Sequence, residues 1–156
     1  MDELRDYRAR LLERLQAQPH ELAEAVARVP AGEWHTRRDA SGVSLHQQVS
    51  HLRDLEARAF LPRFRLVATE DNPALEPYTS HRWTDADYRP DEPLEDMLSD
   101  FARAREEALA VMRGLTPEDW TRPGFHPPSG QRTAQWWAER MYGHAHEHLH
   151  EIRSLR

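Results

Sequence analysis

No cysteine occurs in this chain, which removes disulfides, thiolate metal ligands and a cysteine nucleophile at one stroke. Any thiol taking part in its chemistry has to arrive on a small molecule. Long apolar runs are missing too. No stretch reaches the roughly eighteen apolar residues that a membrane-spanning helix needs, and no basic, apolar and small-residue succession marks a secretory signal. The expectation is a soluble, cytoplasmic protein with no membrane partner. Concentrated positive charge is the third absence. The net charge is −6 with neutral histidines, and the arginines stand singly among acids. No basic face can follow a phosphate backbone, which excludes nucleic acid as the principal partner.

Apolar residues make up only 38% of the 156, yet they recur at helical spacing instead of being diluted throughout. That pattern argues for one all-helical domain over residues 1–156 and against disorder. From an N-cap at Asp2, residues Leu4, Tyr7, Leu11, Leu15, Leu22, Val26 and Val29 form the stripe of a first helix. Pro19 lies inside it and should kink or interrupt it. Ser44, with Gln47 three residues on, has the pattern of a capping box and opens a second helix over 45–64. Its apolar sector is Leu45, Val49, Leu52, Ala59 and Phe60, with Glu56 in the middle and His46 and His51 on opposite edges. Periodicity does not choose between these two histidines.

Residues 67–92 are punctuated by Pro73, Pro77 and Pro90 and carry Tyr78, His81, Trp83 and Tyr88. This reads as a long crossover loop folding over one end of a bundle. A third helix begins near Pro93, with the stripe Leu94, Leu98, Phe101, Arg105, Ala108, Met112 and Leu115. The arginine in that stripe is costly unless paired. Glu56 is its natural partner, so an interior Glu56–Arg105 ion pair is expected near the functional site. Thr116-Pro117-Glu118-Asp119-Trp120 marks a short helical turn, and Pro123 to Gly130 a turn-rich connector. The likeness of Thr116–Trp120 to Pro30–Trp34, each followed by Thr-Arg and later by Ser-Gly, suggests two weakly related helix-hairpin halves.

Thr133 caps the last helix, which holds histidines at 144, 146, 148 and 150. At about 100° per residue, Trp137, Met141, His144, His148, Ile152 and Leu155 fall on one stripe, and Glu139, Gly143, His146, His150 and Arg153 on the other face. His144 and His148 therefore take positions where a bundle helix would carry leucine. One turn apart, their rings can converge on a metal ion. The competing reading is a pair of neutral core histidines hydrogen-bonded to other side chains. A mononuclear catalytic site needs a third ligand from another helix. Trp83, Trp136 and Trp137 either line an apolar pocket beside such a site or simply fill the core.

The run Ser44-Leu45 through Ser50-His51-Leu52-Arg53-Asp54-Leu55-Glu56, together with His144-Ala145-His146-Glu147-His148-Leu149-His150-Glu151-Ile152, resembles the paired motifs of the DinB/YfiT-like metalloenzyme superfamily. Trp34, and Phe101 followed four residues later by Arg105, fit the same pattern. The resemblance implies a four-helix bundle with a long crossover between the second and third helices, often assembled as a homodimer. It also implies His51, His144 and His148 as ligands to a divalent ion, zinc or nickel foremost and iron or manganese as further options. His46, His146 and His150 become bystanders; the Glu56–Arg105 pair, placed near the site by its interior positions, either supports the ligands or fixes helix register.

Three neutral imidazoles leave the ion its full charge, which acidifies a bound water or thiol. Relatives in the family activate a low-molecular-weight thiol such as bacillithiol or mycothiol. The resemblance thus implies a metal-dependent thiol S-transferase acting on a small-molecule thiol and an electrophilic substrate. A metal-dependent hydrolase, with Glu56 or Asp54 as the base, is the nearest alternative. A non-catalytic metal-binding or ligand-binding bundle is the other.

Overall fold

The computed structural model describes residues 2–77 and 87–156, so Tyr78, His81 and Trp83 lie outside the described residues. Five helices account for most of it: α1 (Glu3–Ala27), α2 (Leu45–Leu55), α3 (Leu61–Thr69), α4 (Leu94–Arg113) and α5 (Ala134–Arg153). A π-turn over Glu56–Phe60 joins α2 to α3, so the two act as one arm of a four-helix bundle. Both α1 and α2 pack against α4 and α5.

The caps are those the sequence calls for. The Asp2 carboxylate accepts from the Arg5 amide, Ser44 and Gln47 close a reciprocal capping box, and Thr133 accepts from the Trp136 amide.

Four expectations need correction. Helix α1 is not interrupted at Pro19 but runs through it for 25 residues. Its first turns do not reach the core, since Leu4 and Tyr7 are exposed and the buried stripe starts at Arg8 and Leu11. The second helix is not a uniform helix over 45–64. Pro62 has no amide to give and its ring would crowd the preceding turn, and the wider π-turn before it accommodates this while carrying the arm on to Thr69. Neighbouring Leu55 and Glu56 are both buried as a result. Finally, the connector before α5 is no plain turn. Strands β1 (Pro123–His126) and β2 (Gly130–Thr133) pair antiparallel, and β1 also borders the start of the crossover, where the Leu75 amide donates to the Phe125 carbonyl at 2.7 Å.

The suspected internal likeness has a structural counterpart. Ala31–Glu33 and Asp119–Thr121 each form one tight 3-10 turn. Each is followed by antiparallel pairing, Arg38 with Ser44 in one case and β1 with β2 in the other. Each pairing has a left-handed glycine at its bend, Gly42 at φ 84° and Gly130 at φ 80°, a conformation in which a Cβ would be strained.

The core falls into two apolar clusters. One contains Leu11, Leu15, Leu55, Phe64, Trp137 and Met141, the other Leu22, Val49, Leu52, Phe101, Ala145 and Leu149. Buried polar residues lie at or beside the change from one cluster to the other: Gln18 on α1, Arg105 on α4 and His144 on α5.

Candidate metal centre

Three helical positions from two arms supply the histidines. His51 sits in the last turns of α2, and His144 and His148 lie one turn apart on α5. Each offers a ring nitrogen within 4.8 Å of the others, the only group of three or more potential metal-ligating residues among the described residues. His51 and His144 point Nε2 at Nε2 across 3.2 Å. Two imidazoles on a tetrahedral ion at ordinary metal–nitrogen distances would place their nitrogens about 3.3 Å apart. A single hydrogen bond could account for that one contact, but the third ring joins them, packed 4.8 Å from His51 and 4.6 Å from His144 between centroids with its Nδ1 engaged by Gln48 and Glu151. The residues present fit a divalent ion.

Electrostatics agree with the geometry. Burial pushes His144 down to about 2, helped by the charges of His148 and His51. Burial also pushes His51 down to about 3, with His148 adding to the effect. His148 is lowered by burial, against the pull of Glu151 and Glu147. All three rings are therefore neutral at physiological pH, the form that ligates a metal.

Behind this cluster lies the expected ion pair. Arg105, fully buried, donates from Nε to Glu56 Oε1 at 2.5 Å and from Nη2 to Glu56 Oε2 at 3.1 Å. Its Nη1 donates to Gln18 Oε1 at 2.7 Å and to the Leu15 carbonyl at 2.9 Å. The last contact explains how α1 tolerates its proline. Leu15 is four residues before Pro19, so its carbonyl lacks the helical N–H it would otherwise receive. Arg105 takes that place from another helix. Gln18 in turn donates to the Tyr142 carbonyl on α5 at 3.0 Å, so one guanidinium network ties all four arms. It adjoins the histidines, since Phe60 of the π-turn lies edge-on to the His144 ring.

The other histidines are accounted for separately. His146 and His150 are exposed, His146 stacking on Tyr142. His46 is buried but its nitrogens are both engaged, Nδ1 with the Tyr88 hydroxyl at 2.6 Å and Nε2 with the Glu92 carbonyl at 2.7 Å. It anchors the returning end of the crossover. Arg53 does the same through a two-pronged contact with Glu92, both oxygens at 2.7 Å. Arg53 also holds Asp54 at 2.8 Å. The two carboxylates offered as hydrolytic bases, Glu56 and Asp54, are thus each bound by an arginine. Trp137 is core, with Arg63 over its ring at 4.9 Å, and Trp136 is partly buried against the same cluster.

Sequence reasoning missed Gln48. It is buried and receives His148 Nδ1 on Oε1 at 2.5 Å. Its position three residues before His51, on the same face of α2, was the available signal.

The model of the DinB superfamily matches residues 14–152. A protein of Oceanobacillus iheyensis named "putative metal-dependent hydrolase" is 30% identical over 116 residues, 74% of this chain and 66% of its own length. A Bacillus mycoides protein of the same name is 29% identical over 141 residues, 88% of this chain and 79% of its own. The solved structure of Bacillus subtilis YfiT, described as "a probable metal-dependent hydrolase with an unusual four-helix bundle topology", superposes with a TM-score of 0.83 at 23% sequence identity, covering 97% of this chain and 86% of that one. At that identity the likeness speaks for the fold.

Proposed function

This chain belongs to the DinB superfamily, and we propose that it is a divalent-metal enzyme whose ion is held by His51, His144 and His148. The observation that carries the reading is the buried Nε2-to-Nε2 approach of His51 and His144 at 3.2 Å, with His148 as the third ring. Imidazole nitrogens suit zinc or nickel, and also iron. Bound there, the ion would supply Lewis acidity, lowering the pKa of a thiol or water brought to it. The chain's own residues keep the rings neutral by burial, and tie the arm that carries His51 to α4 through Glu56 and Arg105 and on to α5 through Gln18.

The reaction we propose is transfer of a low-molecular-weight thiol such as bacillithiol to an electrophile. It is supported by the engagement of Glu56 and Asp54 with arginines, because a thiol that ionises readily needs no strong carboxylate base. Hydrolysis is the second reading, favoured by the names of the relatives. Purified protein loaded with zinc or nickel should consume a chloronitrobenzene only with both metal and bacillithiol. Metal-dependent cleavage of a nitrophenyl ester, indifferent to thiol, would replace transfer with hydrolysis. The reading also includes a homodimer, for which exposed Leu4 and Tyr7 offer apolar surface; a monomer mass by light scattering would remove it.

A further inference from the structure

The side chain of Gln48 is held at both ends. Its amide nitrogen donates to Asp39 Oδ2 at 2.8 Å and to Glu151 Oε2 at 2.9 Å. Its oxygen meets His148 Nδ1 at 2.5 Å. The orientation of an amide is ordinarily ambiguous, but here only one choice works. Turned the other way, the carbonyl oxygen would face two carboxylates with no proton between them. Asp39 is itself immobilised, because its Oδ1 accepts from the Ser41 and Val43 amides at 2.8 and 3.0 Å, leaving Oδ2 for Gln48.

From this chain of contacts we infer that Gln48 is a positioning residue of the metal centre, holding His148 with its proton on Nδ1 and the Nε2 lone pair turned to His51 and His144. Nδ1 of His148 faces two acceptors, Gln48 Oε1 and, at 3.1 Å, Glu151 Oε2. In a neutral ring the single proton must therefore be on Nδ1, and Nε2 is left as the ligand atom. The turn at 39–43 thus sets a ligand on α5 through one side chain of α2. This rests on the metal reading given above, but the tautomer itself does not require a metal.

The test uses the full chain. In metal-free protein, long-range proton–nitrogen correlation spectra should show His148 protonated on Nδ1. In Gln48→Met, which keeps the volume and removes the acceptor, the tautomers should mix. Zinc affinity, measured by competition with a chromophoric chelator, should fall by about 10-fold, toward the lower end of outer-shell effects because Glu151 remains. Adding Glu151→Leu should bring the loss to about 100-fold. Should Gln48→Met not fold, Asp39→Ala with Glu151→Leu removes both carboxylates that orient the amide, and the same mixing is expected. Protonation of wild-type His148 on Nε2 would overturn the inference. So would folded Gln48→Met, or the folded double variant Asp39→Ala with Glu151→Leu, with an unchanged tautomer and affinity. Failure of the wild type to bind zinc would refute the metal reading instead, and the spectra would still decide what Gln48 does.

Discussion

Replacing Arg105 by methionine isolates the energetics of the polar layer. The substitution keeps most of the buried stem and removes four donated contacts: two to Glu56, one to Gln18 and one to Leu15. Glu56, 2% exposed, is left as a buried carboxylate without its counter-ion. Breaking such a pair from one side costs about 3–5 kcal/mol, out of the roughly 5–15 kcal/mol by which domains are stable. Urea unfolding followed by circular dichroism should show that loss as a lower midpoint at unchanged slope. Glu56→Leu with Arg105→Met should recover about 2 kcal/mol of it, because no charge is then stranded. The orphaned Leu15 carbonyl adds a sharper test. Pro19→Ala returns its helical N–H, and should help the Arg105→Met protein by about 1 kcal/mol more than it helps the wild type. Arg105→Met costing less than about 1 kcal/mol, or Pro19→Ala acting equally in both backgrounds, would refute this account of the layer.

Metal analysis should show zinc or nickel lost from His51→Ala, His144→Ala and His148→Ala, with His146→Ala retaining it as an exposed control; retention in all three would remove the centre. In metal-free protein the folded-state pKa values of His51 and His144, about 3 and about 2, lie below the unfolded value of about 6.5. The unfolded state therefore takes up more protons as pH falls from that value, so stability is full above it and declines below, by up to about 1.4 kcal/mol per pH unit for each ring. Urea midpoints unchanged between about pH 7 and about pH 5 would contradict the burial argument. His46→Phe removes the polar partner of Tyr88 and of the Glu92 carbonyl. It should cost about 1–3 kcal/mol and speed proteolysis of the crossover while leaving metal content unchanged. Metal loss in that variant would move His46 into the centre.

How far the sequence reached is clearest at individual residues. Helical spacing alone separated His144 and His148 from His146 and His150, because the angle between side chains on one helix is fixed by local geometry. The same spacing singled out Arg105 and Glu56 as interior charges, and their cost made them partners. It could not decide between His46 and His51, since both lie at the edge of the apolar sector. That choice depends on what stands opposite: for His51 the Nε2 of His144, for His46 the Tyr88 hydroxyl and the Glu92 carbonyl. Pro19 misled for a related reason. A proline reports the hydrogen bond it removes, and nothing local reveals that a guanidinium 86 positions later in the chain replaces it.

The Gln48 contacts belong to the tertiary structure in the same way. Residue order by itself determined the long helices, their caps, most of their buried faces and the candidate ligands on α5, all set by interactions within a few residues. The family resemblance named His51 as the third ligand, but only the packed bundle showed what stands opposite it, which way the His148 ring is turned, and who answers the carbonyl of Leu15, because each depends on an atom brought from another helix.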